Sequence, residues 1–207
     1  MRLYLVDLLR CPEPHAEGWL VASTGVMQDR HVLEGELGCP NCGSRYRVHK
    51  GIVEFSSRKP ARIDASTPES DAAVRLAALL ALDTAEGAIL MARNYAPVAR
   101  ALRDVTGVEV VVLDPPPDVA MGHGMSGIAG ARLAPLAEGS LRGAALDAET
   151  AEPGFLQSVV KALRSRGRLV APAATPLPAD MKELARDARE WVAEKQGATP
   201  IVPLRRA

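Results

Sequence analysis

The sequence predicts an α/β protein in two parts: a small β module stapled by a metal-binding cluster, then a doubly wound domain with a parallel sheet. Three observations predict it. All three cysteines fall within the first 42 residues, as Cys11-Pro12 and Cys39-Pro40-Asn41-Cys42-Gly43. Residues 57–70 are rich in Ser, Arg, Pro and Asp and keep no apolar period, as a linker does. From residue 71 onward, strand-like and helix-like segments alternate, the pattern of a parallel sheet covered by helices. The expected division is therefore 1–56, a linker at 57–70, and 71–207.

Taken in order, the first segment, around residues 3–9, is a short apolar run that delivers the chain to Cys11. Residues 19–22 and 31–37 read as two strands, separated by a polar interval containing Ser23-Thr24-Gly25 and Gln28-Asp29-Arg30, which suggests a hairpin. After Cys39 and Cys42, residues 44–48 and 52–55 read as a second hairpin around His49-Lys50-Gly51. Cys-Pro-x-Cys-Gly is a knuckle: proline bends the backbone, and glycine permits the positive φ that aims both sulfurs at one point. Zn²⁺ takes four nitrogen or thiolate donors in a tetrahedron. Cys11, His15, Cys39 and Cys42 are the expected set, with His31 as the other possible source of the fourth ligand. Knuckle, hairpin, knuckle, hairpin is the order of a zinc ribbon, whose small core is expected to use Trp19 and Tyr46. In so small a unit, metal contributes much of the folding energy.

Charge and composition exclude several functions. The chain balances 25 basic against 25 acidic residues, which argues against bulk affinity for nucleic acid. Aromatics at 3% leave little for base stacking. No stretch reaches the ~18–20 apolar residues of a membrane span, and Asp7 interrupts any signal-peptide run. A cytoplasmic protein is expected, where clustered cysteines serve as ligands and not as disulfides.

In the second part, residues 72–82 carry a helical pattern and 87–91 a strand. Residues 96–105 read as a helix closed by Gly107, and 108–114 as a β-branched buried strand. Pro115-Pro116-Pro117 stops that strand, and a Gly/Met-rich passage around His123 follows. A strand at 141–146, a helix at 155–164 and a strand at 167–171 come next. A long helix over 179–195 and a last strand at 199–204 complete the prediction. His123 and Gly122-x-Gly124 read as a loop, and Arg164, Arg166 and Arg168 as a solvated basic face.

Two resemblances bear on function. Leu8-Leu9-Arg10-Cys11-Pro12, Cys39-Pro40-Asn41-Cys42-Gly43 and the run from Arg45 through Val53 resemble the small zinc-ribbon methyltransferase-activator family. Its members are shared subunits of tRNA, rRNA and release-factor methyltransferases. The resemblance implies a protein partner, in that family a methyltransferase. The second cysteine of the first knuckle is missing here, and His15 stands beyond its place. Residues 71–204 resemble the class I S-adenosylmethionine-dependent methyltransferase fold, a Rossmann-like domain, through Asp114, the run 133–144 and Gly167-Arg168-Leu169-Val170. That resemblance implies that Asp114 is the acid on the cofactor ribose. The fold's glycine-rich turn after its first strand is replaced by Met91-Ala92-Arg93-Asn94-Tyr95-Ala96-Pro97. Asp147-Ala148-Glu149-Thr150 stands where a catalytic Asn-Pro-Pro-Tyr type motif is absent. The expectation is a non-catalytic, zinc-binding interaction or scaffold protein that does not bind S-adenosylmethionine. A methyltransferase on RNA or protein is the first alternative, and an RNA-binding ribbon using Arg45, Arg47 and Lys50 the second.

Overall fold

The computed structural model describes residues 1–56 and 71–197; the expected linker and the expected strand at 199–204 lie outside the described residues. The first part contains α1 (Tyr4–Leu8), β1 (Val21–Gln28), β2 (His31–Gly38), β3 (Arg45–His49) and β4 (Ile52–Glu54). The second contains α2 (Ala72–Leu79), β5 (Ala88–Met91), α3 (Ala96–Thr106), β6 (Glu109–Leu113), β7 (Met125–Ala129), β8 (Leu141–Ala145) and α4 (Pro153–Ala162). It ends with β9 (Leu163–Pro172), β10 (Met181–Arg186) and β11 (Glu190–Lys195).

All of these strands join one 11-stranded sheet in the order β1-β2-β3-β4-β7-β6-β5-β8-β9-β11-β10. Strands β1 to β4 are an antiparallel meander. Its last strand then pairs in parallel with β7, Val53 opposite Ile128. The close approach depends on Gly127, where a Cβ would lie 2.8 Å from the Ile52 side chain and 3.0 Å from Pro115. From β7 to β9 every pairing is parallel. Counted within the second part, this segment runs 3-2-1-4-5, the order of a doubly wound Rossmann-type sheet. The antiparallel β11 and β10 extend it.

Alternation along the central strands sends successive side chains to opposite faces. Ile89, Met91, Val110 and Val112 pack with Leu76, Leu80 and Leu102 under α2 and α3. Leu90, Val111, Leu113 and Ile128 face the other way, against Leu156, Val159 and Val160 of α4. That second core is continuous with Leu5, Leu9, Leu37, Tyr46, Val48 and Val53 of the first part. Each such buried side chain contributes about 1.5–3 kcal/mol, so the two parts stabilise one another through the shared core.

Two local expectations are corrected. Residues 181–195 form the β10–β11 hairpin and no helix. Trp191, Val192 and Ala193 are buried in succession, as in a strand covered on both faces, and Asp187 Oδ1 accepts N–H bonds from Arg189 and Glu190 at the turn. Tertiary pairing overrides the helix propensity of this Ala/Glu/Lys/Arg-rich run. Trp19 is 58% exposed and lies outside the core, with the Arg10 guanidinium 3.0 Å over its ring centre. Tyr46 is buried as expected, its ring 4.7 Å from that of Phe55. No described helix is long and apolar enough to cross a membrane.

Candidate functional sites

Two groups of side chains carry chemistry, and both lie along one edge of the sheet. Strand β2 runs in the same direction as the parallel strands, so the knuckle that follows it stands at their C-terminal edge. Five strand spacings separate β2 from β5, roughly 25 Å at ~4.8 Å each.

At the knuckle, Gly43 has a φ of 74° and donates its N–H to Cys39 O, while Cys39 N–H bonds Ser44 O. Across from it, Cys11 N–H bonds Gly18 O, closing the loop that carries His15. A Cβ at Gly18 would lie 2.8 Å from the Asn41 side chain, so glycine lets the two loops meet. The potential ligand atoms of Cys11, His15, Cys39 and Cys42 all lie within 4.8 Å of one another. Cys11 Sγ is 3.7 Å from Cys42 Sγ, and Cys39 Sγ is 3.5 Å from His15 Nε2. Tetrahedral zinc with the usual bond lengths sets ligand atoms about 3.8 Å apart for two sulfurs and about 3.5 Å for sulfur and nitrogen. The donor set and these two spacings fit zinc.

The surroundings tune these donors. His15 Nδ1 is 2.5 Å from Ala16 O; donating its proton there leaves the Nε2 lone pair aimed at the sulfurs. That carbonyl, ahead of the thiols, raises the His15 pKa. Ser44, whose hydroxyl is 3.2 Å from Cys42 Sγ, holds the exposed Cys42 thiol down at about 6. Tyr46 Oη lies 3.4 Å from Cys11 Sγ; burial and that neighbour raise its pKa. The contact of Tyr46 with Cys11 has no sequence signal, since 35 positions separate them.

His31 sits elsewhere. It is 5% exposed, its Nε2 accepts the Gly124 N–H at 3.3 Å, and Nδ1 is 3.2 Å from Asp29 O. Burial lowers its pKa. Of the two histidines weighed for the fourth ligand, the structure brings His15 to the sulfurs.

The second group stands where the strand order reverses, at the C-terminal ends of β5 and β8, the place where doubly wound sheets bind ligands. In such a crevice, glycines let backbone N–H groups approach the ligand. Here a 3₁₀ turn, Arg93–Tyr95, leads directly into α3. Arg93 is 8% exposed and pairs with Glu149. The Asn94 N–H bonds Asp147 Oδ2 at 3.3 Å, and the other Asp147 oxygen accepts from the Thr150 N–H and hydroxyl. Tyr95 Oη reaches Glu190, which pairs with Arg75 at 2.5 Å. Burial raises the Tyr95 pKa. Asp114 ends β6 at a φ of 42°, and its Oδ1 accepts the Gly130 N–H at 2.7 Å. The structure thus ties Asp114 to the loop after β7.

No protein-family model matches the chain, and no curated protein matches it. Solved structures that resemble it include methyltransferases. One, from Galdieria sulphuraria, is described as a sarcosine dimethylglycine methyltransferase, at 18% identity over 48% of this chain with a TM-score of 0.40; this chain spans 43% of its length. A Burkholderia thailandensis 1,6-didemethyltoxoflavin-N1-methyltransferase, solved with S-adenosylhomocysteine, aligns at 18% identity over 62% of this chain and 80% of its own, with a TM-score of 0.42. The Aquifex aeolicus tRNA (m1A58) methyltransferase aligns at 13% identity over 90% of this chain and 100% of its own, with a TM-score of 0.44. At this level the likeness is one of general fold, and a fold does not fix a function.

Proposed function

We propose that this chain is a zinc-binding interaction or scaffold protein whose methyltransferase-like sheet carries no methyl transfer. The observation that carries this reading is the occupied turn after β5. Its Asn94 N–H is bonded to Asp147, and buried Arg93, paired with Glu149, fills the position where a glycine turn would admit a cofactor. Asp114, the expected ribose ligand, is bonded to Gly130. Zinc on Cys11, His15, Cys39 and Cys42 is structural in this reading, because it lies roughly 25 Å along the sheet from the crevice. A protein partner belongs to the proposal. The β4 edge is already paired with β7 of the same chain, which leaves β1 as the edge strand of the first part among the described residues. That strand exposes Val21, Val26 and Met27 and contains no lysine or proline to block strand addition.

A second reading, an S-adenosylmethionine-dependent methyltransferase acting on RNA or protein, draws support from the 3-2-1-4-5 strand order with its switch point between β5 and β8. The three solved structures named above are methyltransferases, nearer to this reading than to the first. An RNA-binding ribbon draws the least support: Arg45 pairs with Glu36 at 2.9 Å, and Arg47 faces His49, itself held by Glu34. Calorimetric titration of the purified chain with S-adenosylmethionine separates the first two. No heat is expected; micromolar binding overturns the non-catalytic reading.

A further inference from the structure

At the opposite edge of the sheet, the N-terminal ends of β8 and β9 flank an open cavity of about 180 Å³ lined by four arginines. Its floor is Arg142 of β8, 5% exposed and fixed by bonds to Ala81 O, the Thr84 carbonyl and hydroxyl, and the Asp83 carboxylate. Its wall is an irregularity in β9. Leu163 pairs with Leu141 and Arg168 with Gly143, so four residues of β9 stand opposite Arg142 alone. The surplus loops outward as Arg164-Ser165-Arg166-Gly167, with Arg166 at a φ of 62°. Gly167 is obligatory in this loop, since a Cβ there would meet Arg164 O at 2.8 Å and Arg142 O at 3.0 Å. The loop therefore projects two exposed arginines at the mouth of a cavity already floored by a third.

These cations are unequally partnered. Arg142 is satisfied by the carbonyls and carboxylate around it. Arg168 donates to Leu79 O at 3.2 Å. Arg166 and Arg168 approach Glu194 only to 4.0 and 3.8 Å, beyond hydrogen-bond length. The Arg164 guanidinium acts on Asp83 through its charge, helping to lower that carboxyl's pKa after the Asp83 backbone and Arg142. Four guanidinium groups against Asp83 and Glu194 leave an excess of two positive charges.

We propose that this cavity binds a phosphate-bearing small molecule through Arg164, Arg166 and Arg168. Planar guanidinium forks match phosphate oxygens, and several arginines lining one cavity suit a multivalent anion better than a single carboxylate. The excess of two charges corresponds to the charge of a phosphate group at neutral pH. The space is several times the ~30 Å³ share of one water, enough for a phosphate or diphosphate group with the rest of the ligand outside. The site lies at the edge of the sheet opposite the switch-point crevice and does not depend on the reading of that crevice.

The test titrates the full chain with inorganic pyrophosphate by calorimetry at low ionic strength. One site per chain is expected, weakened by about tenfold or more in Arg164→Ala and in Arg166→Ala, the scale of one charge-assisted hydrogen bond. Both side chains are exposed, so the variants should melt with the parent, and a lowered melting temperature is controlled by the charge-retaining Arg166→Lys. Absence of binding at millimolar pyrophosphate, or equal affinity in the Arg164→Ala/Arg166→Ala double variant, overturns the assignment. So does a single-stranded RNA that binds these arginines more tightly than pyrophosphate with a steep salt dependence, which would make the ligand a nucleic-acid backbone.

Discussion

Replacing Cys42 with serine perturbs the proposed zinc cluster with the least damage elsewhere, because Cys42 is exposed and leaves no core cavity behind. The four donors already lie within 4.8 Å of one another, so zinc would have only to draw them together over a short distance. Two routes give the size of the effect. Zinc present at a thousandfold excess over its Kd stabilises the folded state by about 4 kcal/mol. Treating the metal as a permanent tie between Cys11 and Cys42, 31 positions apart, a chain-entropy calculation also gives about 4 kcal/mol. For a chain of this length each kcal/mol moves Tm by roughly 2–4 °C, so chelation should lower Tm by about 8–16 °C. The chain should not unfold at room temperature, because Leu37, Tyr46 and Val48 remain packed in the core shared with the second part. Calorimetric melting before and after chelation, with metal analysis of the purified protein, reads both quantities. Cys42→Ser should hold zinc more weakly and recover less of the loss on zinc addition. Protein that is metal-free and indifferent to added zinc, or a Cys42→Ser variant with the parent's zinc response, would refute the reasoning.

Two other outcomes follow from single side chains. Asp114→Ala removes the acceptor of the Gly130 N–H and leaves a β-carbon residue at positive φ. It should cost about 1–3 kcal/mol in chemical unfolding, while Asp114→Asn retains most of the stability; equal midpoints for parent and alanine variant would mean the bond holds nothing. Burial holds His31 below its usual pKa, with the carbonyl of Asp29 and nearby Glu109 opposing and the Met1 amine and Arg2 assisting; burial also lowers that amine to about 5, a background that parent and His31 variant share. A basic group depressed on folding leaves stability intact above its unfolded value near 6.5 and erodes it as pH falls toward the folded value. Urea midpoints taken from pH 8 to pH 5 should therefore fall below about pH 6.5, and less steeply in His31→Gln; identical slopes would assign the pH dependence to another group.

Local signals account for what was legible in the sequence. The Cys-Pro-Asn-Cys-Gly knuckle is defined by backbone geometry within five residues; the hairpin before it was legible too, but β1 runs on through Ser23–Gln28 and the turn narrows to Asp29-Arg30, with φ of 47° and 63° suited to strand twist. The β-branched run of β6 and the Gly107 cap of α3 at φ 74° were readable for the same reason. The hairpin at 181–195 was not, because its sequence favours helix and only pairing of β11 with β9 makes it a strand. Strand β7 was hidden too, since Met125-Ser126-Gly127-Ile128-Ala129 has no alternation and gains its place from neighbours on both sides.

The sequence by itself determined the identity of the clustered donors, the strand–helix–strand order from β5 through α3 to β6, and the lack of glycine in the turn after β5. The tertiary structure decided which histidine joins the sulfurs, because Gly18 and Asn41 bring the His15 loop against the knuckle while His31 is bound to the Gly124 N–H. It also decided that both parts share one sheet, through the Val53–Ile128 pairing between strands more than seventy residues apart. It tied Asp114 to Gly130 and Asn94 to Asp147. Each of these depends on contacts between distant segments, and no local propensity encodes them.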